Sequence, residues 1–173
     1  MNVIEVLTRE HKLFETLARR LDVAALASGE GARRELRMVL LVLLPALDRH
    51  EHIEDEVFGQ PGYASKGQAQ KILHEVALEH AHIAGLRGRL MGALHDTWQD
   101  PDGRLQTEAR DFAAHLRSHM RTEEIKLWPL YAQVASRSLD ASTARRAQAQ
   151  VEQLEHDVKT LTGEVEDYLG GKR

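Results

Sequence analysis

The sequence contains no cysteine. A disulfide framework and a thiolate metal site are therefore both excluded, and any metal would have to be held by histidine and carboxylate. Aromatic residues make up only 5% of the chain. The longest apolar run, MVLLVLLPAL at residues 38–47, is far short of the ~20 residues that cross a bilayer. The first residues, MNVIEVLTREH, offer neither a basic leader nor an apolar signal core, so a soluble cytoplasmic protein is expected. Acids and bases are interspersed to a net charge of −4, which gives no basic field for nucleic acid or an anionic membrane. At 173 residues the chain fits one domain with a core of its own. What it has in quantity is histidine, ten in all.

Apolar residues recur at helical spacing throughout, and no segment sustains strand alternation, which predicts an all-α chain. Five helices are expected. The first spans about residues 3–27, after Asn2 as a cap, and ends at the glycines of SGEG. The second covers about residues 32–58, with Pro45 inside it as a kink rather than a break. Pro61, Gly62 and a capping Ser65 precede the third, which reaches about residue 97. WQDPDG turns the chain into the fourth, starting near residue 104, with Pro129 close to its end. After SRSLD a fifth helix occupies about residues 141–169.

An internal repeat organises the histidines. REHKLFETLARRL resembles LEHAHIAGLRGRL, and LDRHEHIE resembles LRSHMRTE, both at one offset. His11 and His80, His50 and His119, and Glu54 and Glu123 are each 69 residues apart. Two copies of a helical hairpin follow, each carrying a histidine and then His-x-x-x-Glu. In an antiparallel hairpin, residues equidistant from the turn stand at equal height, because both helices rise 1.5 Å per residue. The midpoints of His11/His50, His50/His80 and His80/His119 are 30.5, 65 and 99.5, all in expected loops. An up-down-up-down bundle thus places four imidazoles in one layer. Glu54 and Glu123, one turn after His50 and His119, face the same interior. Bundles build dinuclear metal sites at this position, and a dication compensates carboxylates that are costly to bury.

Each histidine taken alone reads more simply as a surface residue, and His52, His74, His82, His95 and His156 are assigned so. His52 and His82 are turned about 200° from the ligand layer. His115, one turn before His119, has Ala46 as its counterpart, and Glu51 and Glu15 face Met120 and Ala84 in the repeat; symmetry requires none of them as ligands. Leu47, Leu116, Phe14, Met120 and Trp128 read as packing around the layer. Val151, Leu154, Val158, Leu161, Val165 and Tyr168 form a short heptad seam. It suits packing along the chain's own bundle, with homodimerisation through this helix as the alternative.

The pattern of His11, HEHIE at 50–54, Glu79-His80 and HMRTE at 119–123, followed by IKLWP, resembles the hemerythrin-like (HHE cation-binding) domains over about residues 3–136. The resemblance implies a four-helix bundle, here with an additional C-terminal helix. It implies two iron ions joined by an oxo or hydroxo bridge, with His11, His50, His80 and His119 as terminal ligands and Glu54 and Glu123 as bridges. Zinc or manganese would suit the same donors. Oxygen-carrying hemerythrins have HxxxH on the third helix and HxxxxD on the fourth. Here Val76 and Ala84 flank His80, and the fourth helix has HxxxE. Fewer imidazoles leave more exchangeable positions, so the expected role is to bind, sense or react with O₂, peroxide or nitric oxide more than to transport oxygen. A non-catalytic sensor or iron-handling module acting through a protein partner, and a metal-free bundle, are the competing readings.

Overall fold

A computed structural model describes residues 2–58, 67–95, 103–134 and 137–170, with side-chain surroundings for all of these but 95, 132–140 and 164–170. Its elements are α1 (Val3–Leu26), α2 (Glu30–Phe58), α3 (Gly67–His95), α4 (Arg104–Thr122), a π-helical turn (Glu123–Leu127), α5 (Trp128–Val134) and α6 (Arg137–Gly170). Strands are missing among the described residues, as the periodicity requires. No helix of the described residues is long and apolar enough to cross a membrane.

Local chemistry sets the helix ends. Asn2 caps α1 reciprocally: its side-chain oxygen accepts from the Glu5 N–H at 2.9 Å, and its own N–H donates to the Glu5 carboxylate at 3.1 Å. The chain leaves α1 through Gly29 at φ +95° and enters α4 through Gly103 at φ +66°, conformations that a side chain would strain. Pro45 sits on the exposed face of an unbroken α2, where the carbonyl left without its N–H partner meets water. Pro61, Gly62, Ser65 and residues 96–102 lie outside the described residues. One boundary differs from expectation. Residues 137–140 of SRSLD, expected as a loop, are already the first turn of α6. Serine and aspartate favour caps without forbidding a helix, and no glycine or proline interrupts this stretch.

Helices α1 to α4 pack as the bundle, and α6 lies along α1 and α2. The buried face of α6 is the heptad seam: Val151, Leu154, Val158 and Leu161 are all covered within the chain. Arg9 to Glu155 at 2.6 Å and Arg20 to Thr162 at 3.2 Å tie its edge to α1.

The core falls into two apolar clusters. One contains Phe14 to Ala25 on α1, Leu36 to Leu47 on α2, Ile83 to Ala93 on α3 and Leu105 to Met120 on α4. The other contains Val3 to Leu7, Ile53 to Phe58, Val76 and Leu127 to Tyr131. The polar layer of His11, His50, Glu54, His80, His119 and Glu123 falls where these two clusters meet. Helix α6 alone reinforces both, with Ala144 to Val151 below the layer and Leu154 to Leu161 above it.

Candidate metal centre

The structure brings His11, His50, Glu54, His80, His119 and Glu123 together at mid-bundle. All are buried except His80, whose side chain is 18% exposed. Glu54 turns Oε1 to His50 Nε2 at 3.6 Å and Oε2 to His80 Nε2 at 3.4 Å. Glu123 turns Oε2 to His11 and His50 at 3.2 and 3.8 Å, and Oε1 to His80 and His119 at 3.6 and 2.7 Å. Each carboxylate therefore presents one oxygen to each imidazole pair. The donors divide accordingly into two groups, Glu54, His80, His119 and Glu123 in one, and His11, His50 and Glu123 in the other.

Three outer carboxylates fix which nitrogen faces inward. His50 Nδ1 donates to Glu10 at 2.9 Å, His119 Nδ1 to Glu79 at 3.1 Å, and His11 Nδ1 to Glu124 at 3.0 Å. When each of these imidazoles carries a single proton, that proton sits on Nδ1 and Nε2 keeps its lone pair. The centre is then lined by acceptors with nothing to accept. Both oxygens of Glu54 and Glu123, and Nε2 of His80 and His119, are buried without a hydrogen-bond partner. Such groups cost several kcal/mol, of order 1–3 each, unless compensated. Only protons or cations can reconcile them.

The geometry suits cations. His11 Nε2 and His50 Nε2 are 3.3 Å apart. Sharing one metal at the usual ~2.1 Å nitrogen distance would give an angle of roughly 100°, within the range of tetrahedral and octahedral sites. Protons are the other remedy. Burial pulls the His50 imidazole down, yet the facing Glu54 and Glu10 carboxylates outweigh it and hold its pKa well above the ordinary value. The same contest raises His80 to about 10, where Glu123 and Glu54 overcome burial. His119 is raised against burial by Glu123 and Glu54. Burial, and then the charge of Glu123, raises Glu54. Burial opposes ionisation of Glu123 too, but the imidazoles of His11, His119, His50 and His80 hold it well below the usual carboxylate range. The site thus gathers positive charge around Glu123, which protons on the imidazoles supply here and divalent ions would supply in their place.

Packing residues stand where the spacing put them. Phe14 meets His50 edge-on at 5.3 Å, and Trp128 lies 4.6 Å from His11, ring to ring. Leu47, Leu116 and Met120 are buried beside them. Glu15 instead pairs with Arg19 and Arg117 at 2.8 and 2.9 Å. Glu51 is half-buried outside both donor groups, and burial raises its carboxyl. His115 sits on the surface against His82. His52, His74 and His156 are exposed; the side chain of His95 lies outside those described.

Sequence reasoning missed the outer carboxylates. For two of them the signal was available, since Glu10 and Glu79 occupy the same place in the repeat, each directly before a layer histidine and 40 residues from the histidine it holds. Glu124 has no such pattern. It reaches His11 from the π-helical turn, whose register shows in the Trp128 N–H bonding to the Glu123 carbonyl. Up to Glu54 and Glu123 the two halves match at an offset of 69. Beyond the turn the buried pair Leu127 and Trp128 matches Val57 and Phe58 at an offset of 70. One extra residue is taken up there, on the outer side where Ile125 is 65% exposed.

No curated protein and no solved structure matches the chain. The family model of the hemerythrin HHE cation-binding domain matches residues 2–131. With the bundle and the donor layer lying inside that span, the chain belongs to the hemerythrin HHE cation-binding domain family.

Proposed function

We propose that the centre holds two iron ions and that the protein binds, senses or reduces O₂, peroxide or nitric oxide there. The observation that carries this reading is the paired arrangement of Glu54 and Glu123, each with one buried, partnerless oxygen toward each imidazole pair. His11 and His50 would hold one ion, His80 and His119 the other, and the two glutamates both. Ferrous iron in such a site supplies electrons to a small bound ligand.

The chain's own residues define what reaches the site. Glu10, Glu79 and Glu124 keep Nδ1 protonated, so three Nε2 lone pairs point inward in fixed directions. Apolar clusters above and below exclude water and large molecules. The opening is on the side of His80, between α2 and α3. A cavity of about 200 Å³ there is walled by Phe58, Leu73, Val76, Ala77 and Leu127 and reaches Glu54 and His80. A diatomic fits it; an organic cofactor does not. Val76 and Ala84, one turn before and after His80, add no imidazole to the second pair, so that pair keeps a position open.

The test is reconstitution with ferrous iron followed by exposure to air. Near-ultraviolet charge-transfer absorption and close to two irons per chain are expected, both reduced in His119→Ala. A spectrum and iron content unchanged by that substitution would refute the assignment.

A further inference from the structure

A second groove opens on the far side of the bundle, between α3 and α4. It encloses about 280 Å³, and Glu75, Leu78, Glu79, His82, His115 and His119 line it. The repeat tells what this face is. Its counterparts in the first half are Val6, Arg9, Glu10, Leu13, Ala46 and His50. There the face lies under α6: Val6 and Ala46 are buried, Leu13 packs on the core, and Arg9 is paired with Glu155. Where the covered copy has Leu13 and Ala46, the open copy has His82 and His115.

These two histidines are in contact. Their ring centroids are 4.6 Å apart at 48°. That separation is the one found inside the buried centre, 5.0 Å for His11 and His50 and 4.7 Å for His80 and His119. The tautomer is set in the same manner too. His115 Nδ1 lies 2.8 Å from the carbonyl oxygen of Asp111. A carbonyl only accepts, so Nδ1 carries the proton and Nε2 keeps its lone pair. Glu79 is occupied by His119 and Thr122, and Glu75 by Lys126, so water would complete the coordination.

We propose that His82 and His115 form a second, surface metal site, a two-imidazole chelate across α3 and α4 for one divalent late transition-metal ion such as zinc or nickel. Nitrogen donors with few oxygens favour ions of this class. The site differs from the buried centre in holding no carboxylate of its own. An ion there sits one residue, Glu79, away from His119.

Zinc is titrated into full-length protein whose buried centre is already loaded with iron, and into iron-free protein, with bound zinc measured by equilibrium dialysis. One equivalent more is expected in the native chain than in a His82→Ala, His115→Ala double variant, and each single variant should weaken that equivalent at least about tenfold. Both residues are exposed, so iron content and melting temperature of the variants should match the native chain. In parallel, sub-stoichiometric Ni²⁺ should broaden the His82 and His115 ring resonances of the native protein first. Equal zinc binding by the double variant, or broadening elsewhere, would overturn the proposal. Since the comparison is between native and variant, a failed iron assignment at the buried centre leaves the result readable.

Discussion

Replacing Glu10 by glutamine isolates the part played by the outer carboxylates. The amide oxygen still accepts from His50 Nδ1, so the tautomer survives and only the charge is lost. Glu10 is 1% exposed and its contact with His50 is 2.9 Å, so burial leaves the pair little screened by solvent. Loss of such a partner lowers metal affinity 10- to 100-fold, which is about 1.4–2.7 kcal/mol. Glu79 and Glu124 make contacts of similar length but their side chains are 29% and 46% exposed. Screening should shrink the effect in that order, so Glu10→Gln is expected to weaken binding most, Glu79→Gln less and Glu124→Gln least. Competition for Co²⁺ against a coloured chelator measures all three on one scale. Equal losses, or the largest loss at Glu124, would refute the claim that buried negative charge on Nδ1 strengthens these ligands.

Metal-free protein should lose stability as pH rises. The His80 pKa is raised from 6.5 to about 10, so its contribution is full below pH 6.5 and is lost as pH climbs through about 10; melting curves of chelated protein check this. Metal affinity should move the opposite way over that window, because the ligands must shed protons to bind. Leu154→Ala, on the buried face of α6, should cost about 2–5 kcal/mol, or roughly 4–20 °C in Tm, with the metal-to-protein ratio unchanged; a fall in metal content would mean that α6 supports the centre directly. Val76→Phe should narrow the cavity beside His80 and slow azide binding to iron-loaded protein at constant iron content, and an unaltered rate would place the entrance elsewhere.

The ligand layer was legible because it rests on arithmetic. Equal heights and a fixed offset need only the rise per residue and the position of the turns, and both are properties of any antiparallel helical hairpin. The outer carboxylates were harder, since a contact between Glu10 on one helix and His50 on another depends on helix rotation, which spacing leaves free. The His82 and His115 pair obeys the same midpoint rule, centred at 98.5, and its exposure hid its significance. The π-helical turn was not legible at all: EEIKL is composed of ordinary helix formers, and nothing in its residue types marks a wider winding. The start of α6 was misjudged from serine and aspartate, whose preference for helix ends is weak against a long apolar seam.

The single surplus residue in that turn uncouples the lower end of the molecule from the register of the upper. An unabsorbed insertion between His50 and Glu54, or between His119 and Glu123, would turn the glutamate about 100° out of the layer. Here the surplus is swallowed by one widened coil with its slack facing water, so the strand of helix beyond can be re-aimed while Glu123 stays put. The end bearing Leu127, Trp128 and Tyr131 is thereby the region in which this architecture can acquire new shapes without disturbing the donor layer.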